Sequence, residues 1–219
     1  FYKDYSIDAV FDISGGDFAN EILHLLDYEV IKKSEKLFWG YSDLTTVINA
    51  IYVKTGKSSV LYQVRNLVSK DREQQAKQFA QTVHHASKDL YDINCTFLQG
   101  ETMSSIVVGG NIRCLLKLAG TEYWPDVEGR ILLLESYSGN VPRIAAYLSQ
   151  LKQMGVFEKV QGVLLGTFTE MDSEGYLPTV WELLREYVKE DLPVAATKEI
   201  GHGTDSKAIL IGEMLTLKR

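Results

Sequence analysis

The sequence places a serine where a turn could expose its hydroxyl group for nucleophilic attack. Ser42 lies in the segment Gly40-Tyr41-Ser42-Asp43, between a short apolar run and an amphipathic helical pattern. A helix N-terminus presents free N–H groups and the positive end of a dipole, which would stabilise an oxyanion formed by that attack. The G-x-S-x-G turn of α/β-hydrolases uses such a geometry, although Leu44 replaces its second glycine here. The alternative interpretation is that Ser42 or Asp43 simply caps the helix.

A carboxylate follows a buried strand in the second half of the chain. Four aliphatic residues, 131–134, precede Glu135. Ligand sites of α/β sheets lie beyond the carboxyl ends of the strands, so Glu135 could hold a catalytic histidine in the required tautomer there. The alternative is a glutamate that faces solvent or pairs with a nearby arginine.

The best candidate for a general base is His202, which lies between Gly201 and Gly203. Flanking glycines permit unusual backbone angles and leave the imidazole ring accessible. Histidine titrates near neutral pH, which suits proton transfer. His84 and His85 lie in a polar helical segment that we expect to be solvated. The residues Ser42, Glu135 and His202 therefore supply a nucleophile, an acid and a base.

A glycine-rich segment, Gly109-Gly110-Asn111, precedes an apolar helical stretch at 112–118. A glycine turn at a helix N-terminus could cradle an anion. The segment lacks the spacing of a phosphate loop or of a dinucleotide fingerprint, so it indicates no particular cofactor.

Composition excludes several classes of function. The chain has 219 residues and a net charge of −6, which argues against a nucleic-acid partner. It contains no run of about 18 apolar residues that would span a membrane. Cys95 and Cys114 match neither a disulfide framework nor a metal-ligand spacing, and reduced thiols fit a reducing compartment. We expect no metal and no organic cofactor.

The order of predicted elements favours an α/β fold with parallel strands. The predicted helix at 44–52 presents one apolar stripe, and Gly56 would end it. We predict a partial parallel-sheet N-terminal domain at 1–75, a linker at 76–104, and a strand-rich mixed α/β domain at 105–219. A solvated helix predicted over 70–90 would join the two domains. The other predicted strands are 8–14, 37–39, 131–134, 160–165, 208–211 and 214–217, and the other predicted helices are 20–26, 144–151 and 180–188.

Several segments in one order resemble the LD-carboxypeptidase family of serine peptidases, which also contains the microcin-immunity peptidases. They are GGDFANEILHLLDYEVIKKSEKLFWGYSDLTTV, GGNIRCLLKLAGTEYWPDVEGRILLLES, LSQLKQMGVFEKVQGVLLGTF and the GHG loop. The likeness extends from about residue 8 to the C-terminus. Family members usually carry roughly 70 further residues before the matched part. The resemblance thus implies either that this sequence is a fragment or that its N-terminal domain begins in an unusual way.

The resemblance implies a Ser-Glu-His triad at Ser42, Glu135 and His202. It also implies oxyanion donors at the backbone amides of Asp43 and of Gly15 or Gly16. It makes Asn111 a candidate for contact with substrate in the cleft. The family acid is often followed by a second acid, whereas Ser136 follows Glu135 in this chain.

The implied reaction is release of the terminal D-alanine from a murein tetrapeptide, in cytoplasmic recycling of cell-wall peptides, with a homodimer as the expected assembly. An immunity-type peptidase, which cleaves an aminoacyl-nucleotide amide, would use the same triad. An aromatic side chain stacked on a base, such as Trp124 or Trp181, would favour that alternative. A third possibility is a non-catalytic module that binds an anion at its glycine turns. A distance of more than about 5 Å between His202 and either Ser42 or Glu135 would favour such a module.

Overall fold

The computed structural model describes residues 1–85 and 87–219. Within them the α-helices are α1 Tyr28–Lys33, α2 Thr45–Thr55, α3 Arg72–His85, α4 Ile112–Leu116, α5 Val141–Gln153, α6 Thr169–Glu174 and α7 Val180–Leu184. The strands are β1 Ala9–Phe11, β2 Leu37–Gly40, β3 Ser59–Leu61, β4 Thr96–Gln99, β5 Thr102–Asn111, β6 Ile131–Ser136, β7 Gly162–Phe168, β8 Val194–Ala196, β9 Ile209–Ile211 and β10 Met214–Lys218. Short 3₁₀ helices cover Ala19–Leu25, Ser42–Leu44 and Val64–Val68.

The strands form two mostly parallel sheets, which confirms the predicted fold class. The smaller sheet has the order β1-β2-β3-β9, and only β9 runs antiparallel to its neighbour among the described strands. The larger sheet has the order β10-β5-β6-β7-β8-β4, with the two outer strands antiparallel to their neighbours. Within each sheet the parallel strands end at one edge. The serine turn follows β2 of the smaller sheet, and Glu135 lies near the carboxyl end of β6 in the larger sheet.

Helix α2 lies between the smaller sheet and β5 and is buried on nearly all sides. The prediction of a single buried stripe was therefore wrong for this helix. Asn49 is fully buried, and its side chain exchanges two hydrogen bonds with the backbone of Gly109, at 2.9 and 3.0 Å. From the sequence alone, a polar residue such as Asn49 is expected to face solvent, because its hydrogen-bond partner Gly109 lies far along the chain. The helix ends at Gly56, which has a φ of 71°, as predicted.

The glycine pair of the GGN segment belongs to strand β5 and not to a turn. A Cβ on Gly110 would lie 2.8 Å from Oγ1 of Thr45, and one on Gly109 would lie 2.3 Å from the carbonyl oxygen of Leu133. These glycines therefore allow α2 and β6 to approach β5 closely. The structure supports a packing role for the pair, in place of the anion cradle considered from the sequence.

Helix α3 occupies most of the segment 70–90 that is predicted to be a solvated helix, and its charged side chains do face solvent. The predicted linker at 76–104 also contains β4 and the start of β5. One face nevertheless packs on the smaller sheet, where the Phe79 ring lies 5.7 Å from the Trp39 ring. Gln75 is buried and accepts a hydrogen bond from the Tyr62 hydroxyl at 2.7 Å. The domain boundaries at residues 75 and 105 stay predictions. The smaller sheet takes β9 from the C-terminal part of the chain.

Several predicted elements differ in detail, among them the helix predicted at 180–188, which is α7 only over Val180–Leu184. The strand predicted at 8–14 is ordered as β1 only over Ala9–Phe11, and the helix predicted at 20–26 is a 3₁₀ helix. Among the described residues, no helix is both long enough and apolar enough to cross a bilayer.

Candidate active site

The turn after β2 holds Ser42 in a strained backbone conformation. Its φ is 56°, and it is the one non-glycine residue with positive φ in the described chain. Side chains disfavour this region, and such strain commonly occurs at functional turns. Gly40 permits the turn, because a Cβ there would lie 2.9 Å from Cβ of Leu44. Leu44 itself is buried in the core, which accounts for a leucine at the position of the second glycine.

The side chains of this turn do not cap helix α2. Leu44 occupies its N-cap position and forms no side-chain capping bond. The Asp43 carboxylate instead accepts hydrogen bonds from the Ala19 backbone at 2.9 Å and from Lys117 at 2.5 Å. The Ser42 hydroxyl lies beside a histidine. The local geometry therefore favours the interpretation of Ser42 as a nucleophile over its interpretation as a cap.

The structure brings together the three residues predicted from separate motifs. Nε2 of His202 lies 3.2 Å from Oγ of Ser42, and Nδ1 of His202 lies 2.7 Å from Oε2 of Glu135. Glu135 is completely buried near the end of β6, and the His202 side chain is 8% exposed. If Nδ1 carries the ring proton and donates a hydrogen bond to Glu135, Nε2 is free to accept the serine proton. This is the arrangement that general-base activation of a serine requires.

Two tyrosines that the sequence analysis did not identify flank His202. The ring of Tyr41 lies 4.4 Å from the imidazole ring, and the ring of Tyr137 lies 4.9 Å from it. Burial, and then the charge of Glu135, raise the pKa of Tyr41 far above its usual value, so its phenol stays neutral. Their positions in the sequence could have identified them, because Tyr41 precedes Ser42 and Tyr137 lies two residues after Glu135. Both rings limit the rotation of the imidazole.

The loop that carries His202 is anchored on both sides. Gly201 has a φ of 142°, and a Cβ there would lie 1.9 Å from Oγ1 of Thr167, so only glycine fits. Gly203 does not have a positive φ. The predicted unusual backbone angle therefore occurs at Gly201 and not at Gly203. On the other side, the amide of the buried Asn66 donates to the Gly203 carbonyl at 3.2 Å and to the Ser206 hydroxyl at 3.0 Å.

Ser42 and His202 open into a cavity of about 420 Å³. Gly15 lines it, whereas Gly16 lies beside it and accepts a hydrogen bond from Arg113 at 3.2 Å. Lys117 donates to the Asp17 carbonyl at 2.8 Å, so the Gly15-Gly16 loop is held next to the serine turn. The roles of Gly15, Gly16 and the Asp43 amide as oxyanion donors stay predictions.

The structure does not place Asn111 in that cavity. Its side chain is buried and caps α4 by accepting a hydrogen bond from the Cys114 backbone. Its own backbone N–H donates to Oγ1 of Thr45 at 3.1 Å. These contacts favour a structural role, and contact of Asn111 with substrate stays a prediction. Ser136 is also buried, and it donates to the carbonyl of Ser138 at 2.8 Å.

Comparison with known proteins identifies relatives over the whole chain. Residues 1–63 match the LD-carboxypeptidase N-terminal domain, and residues 104–217 match the LD-carboxypeptidase C-terminal domain. The microcin C7 self-immunity protein MccF of Escherichia coli is 25% identical over 96% of this chain and 71% of its own length. A Bacillus subtilis protein named "Probable murein peptide carboxypeptidase" is 28% identical over 96% of this chain and 69% of its own length.

Solved structures share the fold. An MccF-like protein from Bacillus anthracis superposes with a TM-score of 0.82 at 25% identity, over all of this chain and 75% of the other. A muramoyltetrapeptide carboxypeptidase from Oxalobacter formigenes superposes with a TM-score of 0.81 at 24% identity, over all of this chain and 76% of the other. Since the two domain matches together cover most of the sequence, the chain belongs to the LD-carboxypeptidase family of peptidases.

Proposed function

We propose that this protein is a serine peptidase that removes the terminal D-alanine from murein tetrapeptides. The observation that carries the proposal is the continuous hydrogen-bonded chain from Ser42 through His202 to Glu135. Both distances are well below the 5 Å that would have favoured a non-catalytic binding module. The murein peptide carboxypeptidase relative supports the choice of substrate.

The mechanism follows from the positions of these atoms. Oγ of Ser42 attacks the carbonyl carbon of the last peptide bond while Nε2 of His202 takes the hydroxyl proton. Glu135 stabilises the imidazolium that forms. The tetrahedral intermediate collapses, the C–N bond breaks, and His202 returns the proton to the departing amine of D-alanine. Water then attacks the acyl-enzyme ester, gives a proton to His202, and releases the shortened peptide and free Ser42.

The burial of Glu135 is central to this mechanism. A carboxylate without solvent contact interacts strongly with a neighbouring cation, which here is the transient imidazolium of His202. In the described part of the chain, its Oε1 atom has no hydrogen-bond partner. Glu135 therefore interacts chiefly with His202 and can stabilise the positive charge that develops on its ring during the reaction.

The second candidate is an immunity-type peptidase that cleaves an aminoacyl-nucleotide amide. The similarity to MccF favours it. The tryptophans that could stack on a base do not lie in the Ser42 cavity. Trp124 packs against the core, and Trp181 lines a separate cavity. Tyr137 is 60% exposed at the Ser42 cavity and remains available for stacking. Because neither tryptophan lines the Ser42 cavity, we place the peptide substrate first.

The decisive experiment is an assay for D-alanine release from a murein tetrapeptide, with Ser42→Ala as the control. Loss of the nucleophile should lower the rate by at least about 10²-fold. Circular dichroism should show that the variant is folded. No release by the folded wild-type protein would refute the carboxypeptidase proposal. An aminoacyl-nucleotide amide would then be the next substrate to assay. A homodimer and a cytoplasmic location stay predictions.

A further inference from the structure

A cationic side chain reaches the cavity that contains the proposed nucleophile. Arg65 belongs to the short 3₁₀ helix Val64–Val68, and its exposed side chain lines the cavity together with Ser42 and His202. No triad motif includes this arginine, and none of the mechanistic steps above uses it. Arg65 is therefore separate from the groups that activate the serine.

The backbone that carries Arg65 is fixed relative to His202. The neighbouring Asn66 is fully buried and bonds to Gly203 and Ser206, on the loop that carries the histidine. Gln63 donates to the Asn66 side chain at 2.6 Å. These bonds fix the backbone from which the Arg65 side chain extends, and a fixed backbone favours substrate recognition.

The positive charge of Arg65 is available to a ligand. No carboxylate of residues 1–85 and 87–219 lies within salt-bridge distance of its guanidinium group. The cavity also contains Asp12, but that carboxylate accepts the Ser14 backbone N–H at 2.8 Å within its own loop. The charge also acts on the site, because it opposes the rise in the pKa of Tyr41. The cavity thus combines a nucleophile with an unpaired cation.

We propose that Arg65 binds the carboxylate group of the substrate's C-terminal residue and so restricts cleavage to the last peptide bond. The inference rests on the proposed peptidase function and identifies its specificity-determining residue. A planar guanidinium can form two parallel hydrogen bonds with a carboxylate, and such charge-assisted pairs are stronger than neutral ones. Only an amide bond next to a free C-terminus places a carboxylate beside the scissile nitrogen. An internal peptide bond presents a neutral amide at that point.

The test compares two substrates that differ only in this charge. One is a murein tetrapeptide with a free terminal D-alanine, and the other ends in D-alaninamide. We expect the wild-type kcat/KM to be about 10- to 100-fold higher for the acid, the range for a charge-assisted hydrogen bond. Arg65→Gln should reduce the ratio to near one by slowing only the acid. Arg65→Lys should retain an intermediate preference.

The matched control is Arg72→Gln, which removes the same charge from an exposed arginine at the start of α3, outside the cavity lining. It should leave both rates unchanged. Equal losses for acid and amide in Arg65→Gln would indicate a structural role and would overturn the inference. An unchanged ratio would overturn it as well.

Binding separates this inference from the proposed function. In a Ser42→Ala background, calorimetry should show that Arg65→Gln weakens binding of the peptide acid by about 10- to 100-fold and leaves binding of the amide unchanged. If Arg65→Gln weakens binding of the acid but D-alanine release does not depend on Ser42, the peptidase proposal is refuted and the role of Arg65 in binding stands. If D-alanine release depends on Ser42 but the preference for the acid does not depend on Arg65, only the inference about Arg65 is refuted.

Adenosine monophosphate serves as the phosphate probe. If Arg65→Gln weakens its binding and spares the peptide acid, the arginine recognises phosphate and the inference fails.

Discussion

The ammonium group of Lys117 lies 2.5 Å from Oδ1 of Asp43, the residue after the proposed nucleophile. The Asp43 side chain is 2% exposed, whereas that of Lys117 is 20% exposed. Asp43 also accepts the Ala19 backbone N–H, and Lys117 also donates to the Asp17 carbonyl. This pair therefore connects the serine turn to the loop that contains the predicted oxyanion donor.

Replacement of Lys117 by methionine should destabilise the protein and slow catalysis. It leaves a buried carboxylate without its cation, which we expect to lower the free energy of unfolding by about 2–3 kcal/mol. The released loop should also lower kcat for D-alanine release. Urea unfolding and steady-state kinetics measure the two effects. Lys152→Met, which breaks an exposed pair with Glu158, should cost at most about 1 kcal/mol. Equal stability of the two variants would contradict the proposed role of Lys117.

Replacement of Glu135 by glutamine should keep the shape of the site and remove its negative charge. The imidazolium would then lose its stabilising partner, and we expect kcat to fall by about 10²-fold or more. The measurement is kcat for the tetrapeptide, with near-UV circular dichroism as the check on packing. A variant with near-normal kcat would show that Glu135 holds His202 in place without stabilising its charge.

The two glycines beside His202 should respond differently to alanine. Gly201→Ala combines a φ of 142° with a Cβ placed 1.9 Å from Thr167, and we expect a loss of about 2–4 kcal/mol in stability. Gly203→Ala meets only the end of the Asp205 side chain, so we expect a loss below about 1 kcal/mol. Urea unfolding of both variants provides the comparison. Similar losses would mean that the loop adapts to a side chain at Gly201.

Both cysteines should be unreactive in the folded protein at neutral pH. Burial, and then the charge of Glu199, raise the pKa of Cys95 to about 11, and burial with the charge of Asp43 raises that of Cys114 to about 12. The thiolate is the nucleophile, so a thiol reagent such as DTNB should react slowly until the chain is unfolded. Fast reaction in the native state would contradict this prediction.

The same thiols should make stability depend on alkaline pH. Between about pH 8.5 and pH 11 the unfolded chain loses thiol protons that the native state keeps, so the free energy of unfolding falls as pH rises. Below about pH 8.5 both states are protonated and this contribution is constant. Cys95→Ala with Cys114→Ala should make the slope shallower, most clearly below about pH 10, because buried tyrosines such as Tyr41 contribute in the same direction above that pH. The check is urea unfolding at a series of pH values, and an unchanged slope would assign it to other groups.

The sequence by itself determined the local elements and the residue types of the site. The apolar run before Glu135, the turn before α2 and the glycines around His202 are signals that neighbouring residues generate. Segments with a clear periodicity of their own were predicted close to their observed positions. Strands β3, β4, β5 and β8 and helices α1 and α6 were not predicted. The fold class followed because alternating strands and helices pack as parallel sheets.

Only the tertiary structure decided which side chains meet. Ser42 and His202 are 160 residues apart along the chain, and Lys117 and Asp43 are 74 residues apart. No local pattern reports such contacts, because they depend on the order of strands in the sheets. For the same reason, the structure alone showed Arg65 at the cavity, Asn49 buried against Gly109 and the packing role of the glycine pair in β5. Long-range packing thus converted three separate motifs into one site.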